Sequence, residues 1–206
     1  MAEITAQTVS ALRKVTGAGM MDAKRALEET GGDVDRAKDL LREKGLASAA
    51  KRTGRATEQG SIGHYLHNQA DRPVIGVLVE LASETDFVAK SEPFQRAAND
   101  IAMHIAAARP RWVRREQVPE DAIAKERELI AAQARNEGKP DAIIEKIVEG
   151  RIGSFYEDYV LYDQVFVNPE RFEGTVGAMI QDMVAKLGEN IEVARFSRVA
   201  VGEEPE

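Results

Sequence analysis

Apolar residues recur every three or four positions through the first fifty residues of the chain. Val9, Leu12 and Val15 are spaced three apart; Ala23, Ala26 and Leu27 resume the spacing after Gly17-Ala18-Gly19; Val34, Ala37, Leu40 and Leu41 follow Gly31-Gly32. That period lines up one stripe of an α-helix, and the glycines interrupt it. Asp33 stands where its carboxylate can cap a third helix, which Gly45 would end. The pattern predicts a three-helix unit of about 45 residues, a size at which a core is marginal unless it is well packed or attached to something larger. Residues 46–59 are rich in Ala, Lys, Arg and Thr without a sustained apolar face. They read as a solvated, partly helical linker, and the chain divides into residues 1–55 and 56–206.

Beyond Gly60 the period changes to two. Ile62, His64 and Leu66 alternate with Gly63, Tyr65 and His67; residues 68–73 carry turn chemistry; an apolar run follows at 74–81. The pair predicts a β-hairpin whose second strand is the more buried. Ser91 is placed to cap a helix with Pro93 in its first turn and Phe94, Ala97, Ala98, Ile101 and Ile105 on one face, ending before Pro110. Residues 119–136 and 141–161 are helical in pattern, and Gly138-Lys139-Pro140 between them is short enough to fold them into an antiparallel hairpin over about 119–162. Thr175 caps a last helix carrying Val176, Met179, Ile180, Met183, Val184 and Leu187, and Gly188 ends it. A third strand runs from Ile191 to about Val201, its alternation slipping near Phe196 as at a bulge. Residues 202–206 form an acidic tail expected to be disordered. Three strands and several helices without regular βαβ alternation predict an α+β fold, a small three-stranded antiparallel sheet covered by helices.

Composition narrows the function. With 43% hydrophobic and 31% charged residues, the 206-residue chain has the balance of an ordinary globular protein. Its formal net charge of -7 makes nucleic acid an unfavourable main ligand. Cysteine is absent, which excludes disulfides, thiolate zinc sites and a cysteine nucleophile and is compatible with a reducing cytoplasm. No apolar run approaches the roughly 20 residues that span a bilayer, and Met1-Ala2-Glu3-Ile4 has no signal-sequence character. A cytoplasmic protein without a membrane association is expected.

Candidate chemistry is sparse. The three histidines, His64, His67 and His104, do not converge in the pattern, and His64 and His67, three apart on a strand, face opposite ways. No phosphate-binding glycine loop occurs, and Gly17-Ala18-Gly19 lacks the preceding strand that a dinucleotide fingerprint requires. Catalytic residues, bound metal, cofactor and direct nucleotide binding are therefore not expected. Arg109, Arg111, Arg114 and Arg115 around Trp112 form the one basic, aromatic cluster that could hold single-stranded RNA; a solvated loop with Trp112 against a helix accounts for it as well. One short segment stands out. The apolar run at 74–81 gives way through Ala82-Ser83-Glu84 to Thr85-Asp86-Phe87-Val88, just before the cap at Ser91, which puts a large aromatic residue on a turn at the sheet edge. The ordinary fate of a Phe is its own core.

Three separated segments give that turn a context. Thr16-Gly17-Ala18-Gly19-Met20-Met21-Asp22, Glu84-Thr85-Asp86-Phe87-Val88-Ala89-Lys90 and Lys186-Leu187-Gly188-Glu189-Asn190-Ile191 resemble, in order, motifs of the elongation factor Ts family. The resemblance implies a ubiquitin-associated-like domain over residues 1–55 that docks on elongation factor Tu, followed by the family's core and dimerisation domain. It implies a guanine-nucleotide exchange factor for translation elongation, not an enzyme, that binds elongation factor Tu with GDP or without nucleotide, displaces Mg²⁺ and promotes GDP release. Thr85, Asp86, Phe87 and Val88 would act in dislodging the Mg²⁺. Met20, Met21 and Lys24 match positions of the docking domain, and Leu187 and Gly188 match a core contact. The short length resembles the family's single-core form, which implies a homodimer, with the last helix and strand as its interface. Ala82-Ser83 stands where many members have Asn-Cys. Two other readings compete: a ubiquitin-associated-type adaptor with a scaffolding core, and a small RNA-binding protein using Arg109 to Arg115.

Overall fold

A computed structural model of the protein describes residues 4–203. Three helices open the chain: α1 (Ala6–Thr16), α2 (Met20–Glu29) and α3 (Val34–Ala50). The Thr5 hydroxyl accepts the Thr8 N–H and the Asp33 carboxylate accepts those of Asp35 and Arg36, so α1 and α3 begin on side-chain caps. Val9, Leu12, Ala23, Ala26, Leu27 and Ala37 form a small core of their own.

The third helix does not stop at Gly45. A β-carbon there would lie 3.1 Å from that of Ala185 on α8 (Val176–Leu187). Gly45 is thus a crossing point between two helices, where a small residue lets the backbones approach, and tertiary packing overrides its usual role as a terminator. The helix continues to Ala50, and Ala49 joins the main core. A helical start to the linker agrees with the expectation for residues 46–59, and its reading as wholly solvated is corrected at Ala49, which is buried.

The hairpin pairs β1 (Gln59–Gln69) with β2 (Arg72–Ser83) through Ala70 and Asp71, both at positive φ, the two-residue turn whose twist matches its strands. The third strand, β3 (Ile191–Ala200), pairs antiparallel with β2, giving the order β1-β2-β3. Glu80 faces Arg195 while Leu81 faces Val193, so Ala194 is the extra residue of a bulge. The slip expected near Phe196 occurs two residues earlier.

One face of the sheet carries Val77, Val79 and Leu81 into the core under α5 (Glu92–Ala108) and α8. Gly63 sets the depth of that contact, because a β-carbon there would fall 2.3 Å from the Ala98 backbone. Ile62, Leu66, Leu78 and Val199 lie exposed on the opposite face. From α5 the chain passes through a turn at Arg115–Gln117 to α6 (Glu120–Asn136) and α7 (Asp141–Tyr159), which form the antiparallel hairpin. Its outer half is held by Ile130, Ala134, Ile144 and Val148, and its base by Val118, Ile152, Phe155 and Val160 with Trp112. The fold is α+β, with eight helices and a three-stranded antiparallel sheet among the described residues.

The acidic tail is also corrected in part. The Glu203 N–H donates to the Ala200 carbonyl, and its carboxylate pairs with Arg198 and lies 3.5 Å from Arg109. Residues 204–206, like the reading of the first three residues, lie outside the described residues.

Candidate partner-docking site

Beyond β2 the chain folds into a one-turn helix, α4 (Asp86–Ala89), where a plain turn was expected. Ala89 is buried and Val88 packs on the main core. At 100° per residue, a helix that turns positions 88 and 89 inward must turn 87 outward. The Phe87 ring is 84% exposed, the most exposed large apolar side chain among the described residues. It does not fold back into the core.

Several contacts hold that turn. Ser83 donates its hydroxyl to the Thr85 carbonyl at 3.0 Å, and Ser91, the N-cap of α5, donates its own to the Val88 carbonyl at 2.7 Å rather than capping the helix. Lys90 donates to the Asp86 carboxylate at 2.5 Å. That hydrogen bond, with the attraction of the ammonium, holds the Asp86 carboxyl below the usual range, so Asp86 is charged at neutral pH.

Leu187 and Gly188 come close to this turn through their neighbour. Leu187 packs on the main core, Gly188 ends α8 at φ +80°, and Glu189 then accepts both the N–H and the hydroxyl of Thr85, at 2.9 and 2.5 Å. Asn190 donates its N–H to the Glu84 carboxylate at 2.6 Å and its amide to the Arg55 carbonyl at 2.7 Å. All of these residues but Arg55 sit within the motifs of the sequence. Nothing in the sequence showed that a carboxylate at 189 would meet a hydroxyl at 85.

Met20 and Met21 are exposed on the first turn of α2, and Lys24 pairs with Glu28 at 3.6 Å on the same helix. Their tie to α4 is indirect. The turn before them packs against α8, since a β-carbon at Gly17 would lie 3.3 Å from Cγ of Lys186, the residue before Leu187. A chain of neighbours thus runs from the α1–α2 turn through the end of α8 to Thr85.

The arginine cluster is engaged within the protein. Arg114 pairs with Glu192 at 2.5 Å and lies over Tyr162; Arg115 pairs with Asp163 and lies over Tyr156; Arg111 lies over Tyr159. Burial alone would raise the Glu192 carboxyl, but hydrogen bonds from Thr57 and Arg114 outweigh it and hold the group low. These cations fasten the base of the α6–α7 hairpin, with Trp112 tilted against Phe155 at 6.1 Å. Among the described residues no group of three or more His, Asp or Glu converges to hold a metal, and no helix is long and apolar enough to cross a membrane.

Comparison with known proteins bears on what such a surface serves. A family profile described as Elongation factor TS matches residues 6–173. Proteins named Elongation factor Ts from Anaeromyxobacter sp. (strain K) and Desulforamulus reducens are 51% and 53% identical over 203 residues, covering 98% of this chain and 90% and 91% of their own lengths. One from Fervidobacterium nodosum is 52% identical over 201 residues, covering 98% of this chain and all of its own length.

Proposed function

Since the chain belongs to the elongation factor Ts family, we propose that it is a translation elongation factor that acts on elongation factor Tu as a guanine-nucleotide exchange factor, through the Phe87 turn. The observation that carries this reading is a large ring held in water on a braced one-turn helix, with Ala89 buried behind it. Mg²⁺ demands near-octahedral geometry and bridges protein side chains to phosphate oxygens, so a small displacement of the elements around it breaks its coordination. Burying the Phe87 ring between such elements would contribute about 2 kcal/mol toward the displacement. Asp86 brings a negative charge to the same place, and Thr85 and Val88 hold the turn that carries both. In this reading Met20, Met21 and Lys24 on the three-helix unit and Leu187 and Gly188 at the end of α8 add docking contacts. Because coupling between two ligands of one protein is reciprocal, what weakens GDP must weaken the factor equally, and nucleotide rebinding releases it.

The factor acts as an exchange catalyst in the cytoplasm without making or breaking covalent bonds. A second copy of the chain covers the outer face of the sheet at Ile62, Leu66, Leu78 and Val199, sheet packing on sheet with β3 contributing. The RNA reading has less support, because Arg111, Arg114 and Arg115 are committed to partners in their own chain.

Stopped-flow release of a fluorescent GDP from elongation factor Tu tests the proposal. The chain should accelerate release, and Phe87→Ala should slow the accelerated rate about tenfold or more, given the roughly 2 kcal/mol of burial lost. Its thermal transition should hardly move, because the ring is exposed in the free protein. A folded Phe87→Ala that exchanges normally would reject the wedge and favour an adaptor.

A further inference from the structure

Glu189 lies outside the residues assigned to docking, yet its carboxylate grips the Phe87 turn at two points. One oxygen accepts the Thr85 N–H and the other the Thr85 hydroxyl. Thr85 is the N-cap of α4, but its own side chain caps nothing. A helix of one turn cannot stabilise itself, since nucleation costs more than so few bonds return. Its pitch is set by what holds its ends. Ser91 and Lys90 act from the C-terminal end; at the N-terminal end Ser83 holds the Thr85 carbonyl, and the bracket on the Thr85 N–H and hydroxyl comes from a residue 104 positions further along the chain. Asn190 adds a second strap to Glu84, whose carboxylate also lies 3.6 Å from the Arg55 guanidinium, and Asn190 binds the Arg55 carbonyl. The turn, the α8–β3 corner and the segment that follows α3 therefore meet in one polar knot.

We propose that Glu189 is a positioning residue for Phe87: its carboxylate fixes the orientation of α4, so that the ring meets its partner preformed. This rests on the exchange reading above. Without the bracket the ring remains available but samples many orientations, and ordering it must then be done within the complex. The loss falls on release of nucleotide from the complex rather than on the first encounter.

Three variants separate the alternatives. Glu189→Ala removes both contacts. Glu189→Gln can keep both, its amide oxygen accepting the Thr85 N–H while its amide nitrogen donates to the Thr85 hydroxyl oxygen. Thr85→Val removes only the hydroxyl contact. In stopped-flow release titrated to saturation, Glu189→Ala should lower the limiting rate about tenfold, as expected for lost hydrogen bonds to a charged group, with the half-saturating concentration little changed. Glu189→Gln should restore most of the rate, and Thr85→Val should fall between them. Hydrogen exchange of the residue 85–89 amides should quicken in Glu189→Ala and not in Glu189→Gln, with protection of α5 unchanged in both. A wild-type limiting rate in Glu189→Ala, or equal losses in the Ala and Gln variants, overturns the proposal. So does a loss confined to the half-saturating concentration, which would make Glu189 a direct contact. If Glu189→Ala does not fold, Thr85→Val decides, and a full wild-type rate with unchanged exchange at 85–89 overturns the proposal. Should the wild-type chain itself fail to accelerate release, the exchange reading falls, and the bracket is judged by hydrogen exchange alone.

Discussion

Mild acid should destabilise the protein through one side chain, His104 on α5. The ring is fully buried, stacks on Phe166 at 5.6 Å, and has both nitrogens engaged. Gln164 donates its amide nitrogen to the carbonyls of Asp158 and Ala108, at 2.7 and 3.3 Å, which turns its amide oxygen toward His104 Nε2 at 3.0 Å. Nε2 must therefore carry the proton, leaving Nδ1 to accept the Val167 N–H at 3.2 Å. A second proton would sit on Nδ1 and face that N–H, donor against donor. Burial holds the His104 pKa below its usual value, and the hydrogen bond to Gln164 offsets this only in part. The unfolded chain takes up a proton near pH 6.5 while the folded chain resists it. The stability is therefore whole above pH 6.5 and is lost as pH falls from there through the folded pKa. One proton taken up on unfolding changes stability by up to about 1.4 kcal/mol per pH unit. For a chain of this size that is a fall in Tm of roughly 3 to 5 °C per unit. Thermal melts followed by circular dichroism from pH 7.5 to 5.0 would measure it. His104→Gln, which cannot titrate, should melt lower at pH 7.5, because the geometry of the two contacts is lost, but should show a flatter profile between pH 6.5 and 5. A His104→Gln profile as steep as the wild type would refute the assignment.

Two further outcomes follow from other parts of the molecule. Gly150 and Gly153 lie inside α7, the first between the outer cluster of the hairpin and the one at its base and the second between Ile152 and Phe155 of the base cluster, and neither has a neighbour within 4 Å of where a β-carbon would sit. Replacing both with Ala should raise stability by roughly 1 kcal/mol each, and a Tm that stays or falls would contradict that accounting. Leu78→Lys, on the exposed face of the sheet, should convert the proposed pair into single chains in sedimentation equilibrium while leaving the far-ultraviolet spectrum unchanged; a surviving pair would place the second copy elsewhere.

The helical stripes were legible where local signals and tertiary packing agree. In α8, the Thr175 hydroxyl caps the first turn and Gly188 takes the left-handed conformation at the end, as the pattern predicted, and Val176, Met179, Ile180, Met183 and Val184 are buried. They failed at Gly45, where the reason for a glycine is the passage of α8 and not the end of a helix. The bulge at Ala194 was legible as a slip in alternation but not to the residue, because its position depends on the pairing of Glu80 with Arg195 across the sheet. The Phe87 segment stood out because a large aromatic follows a buried strand into a turn. That the ring stays outside is a property of Ala89 and Val88 on the other side of a single helical turn. Glu189 and Asn190 were in view as part of a motif, but a polar side chain carries no signal of which distant donor it will meet.

That long-range bracket answers an energetic difficulty. An exposed Phe ring forfeits about 2 kcal/mol that burial would return, and with Val88 and Ala89 already turned inward a turn without the bracket would leave the ring exposed but free to reorient. A hydrogen bond to a charged group contributes about 1.5 to 3 kcal/mol, and Glu189 makes two of them to Thr85. The bracket is thus strong enough to fix the orientation of the ring. It also explains why the anchor comes from so far along the chain: the residues next to Phe87 are already committed, Val88 and Ala89 to the core and Asp86 to Lys90. A rigid projection on a short turn has to be fixed by a second element. Here that element is the end of α8, where Lys186 lies close to the α1–α2 turn at Gly17. If the three-helix unit docks as proposed, this corner is one route by which it is coupled to the ring, beside the Arg55–Glu84 contact and the crossing of α3 with α8 at Gly45.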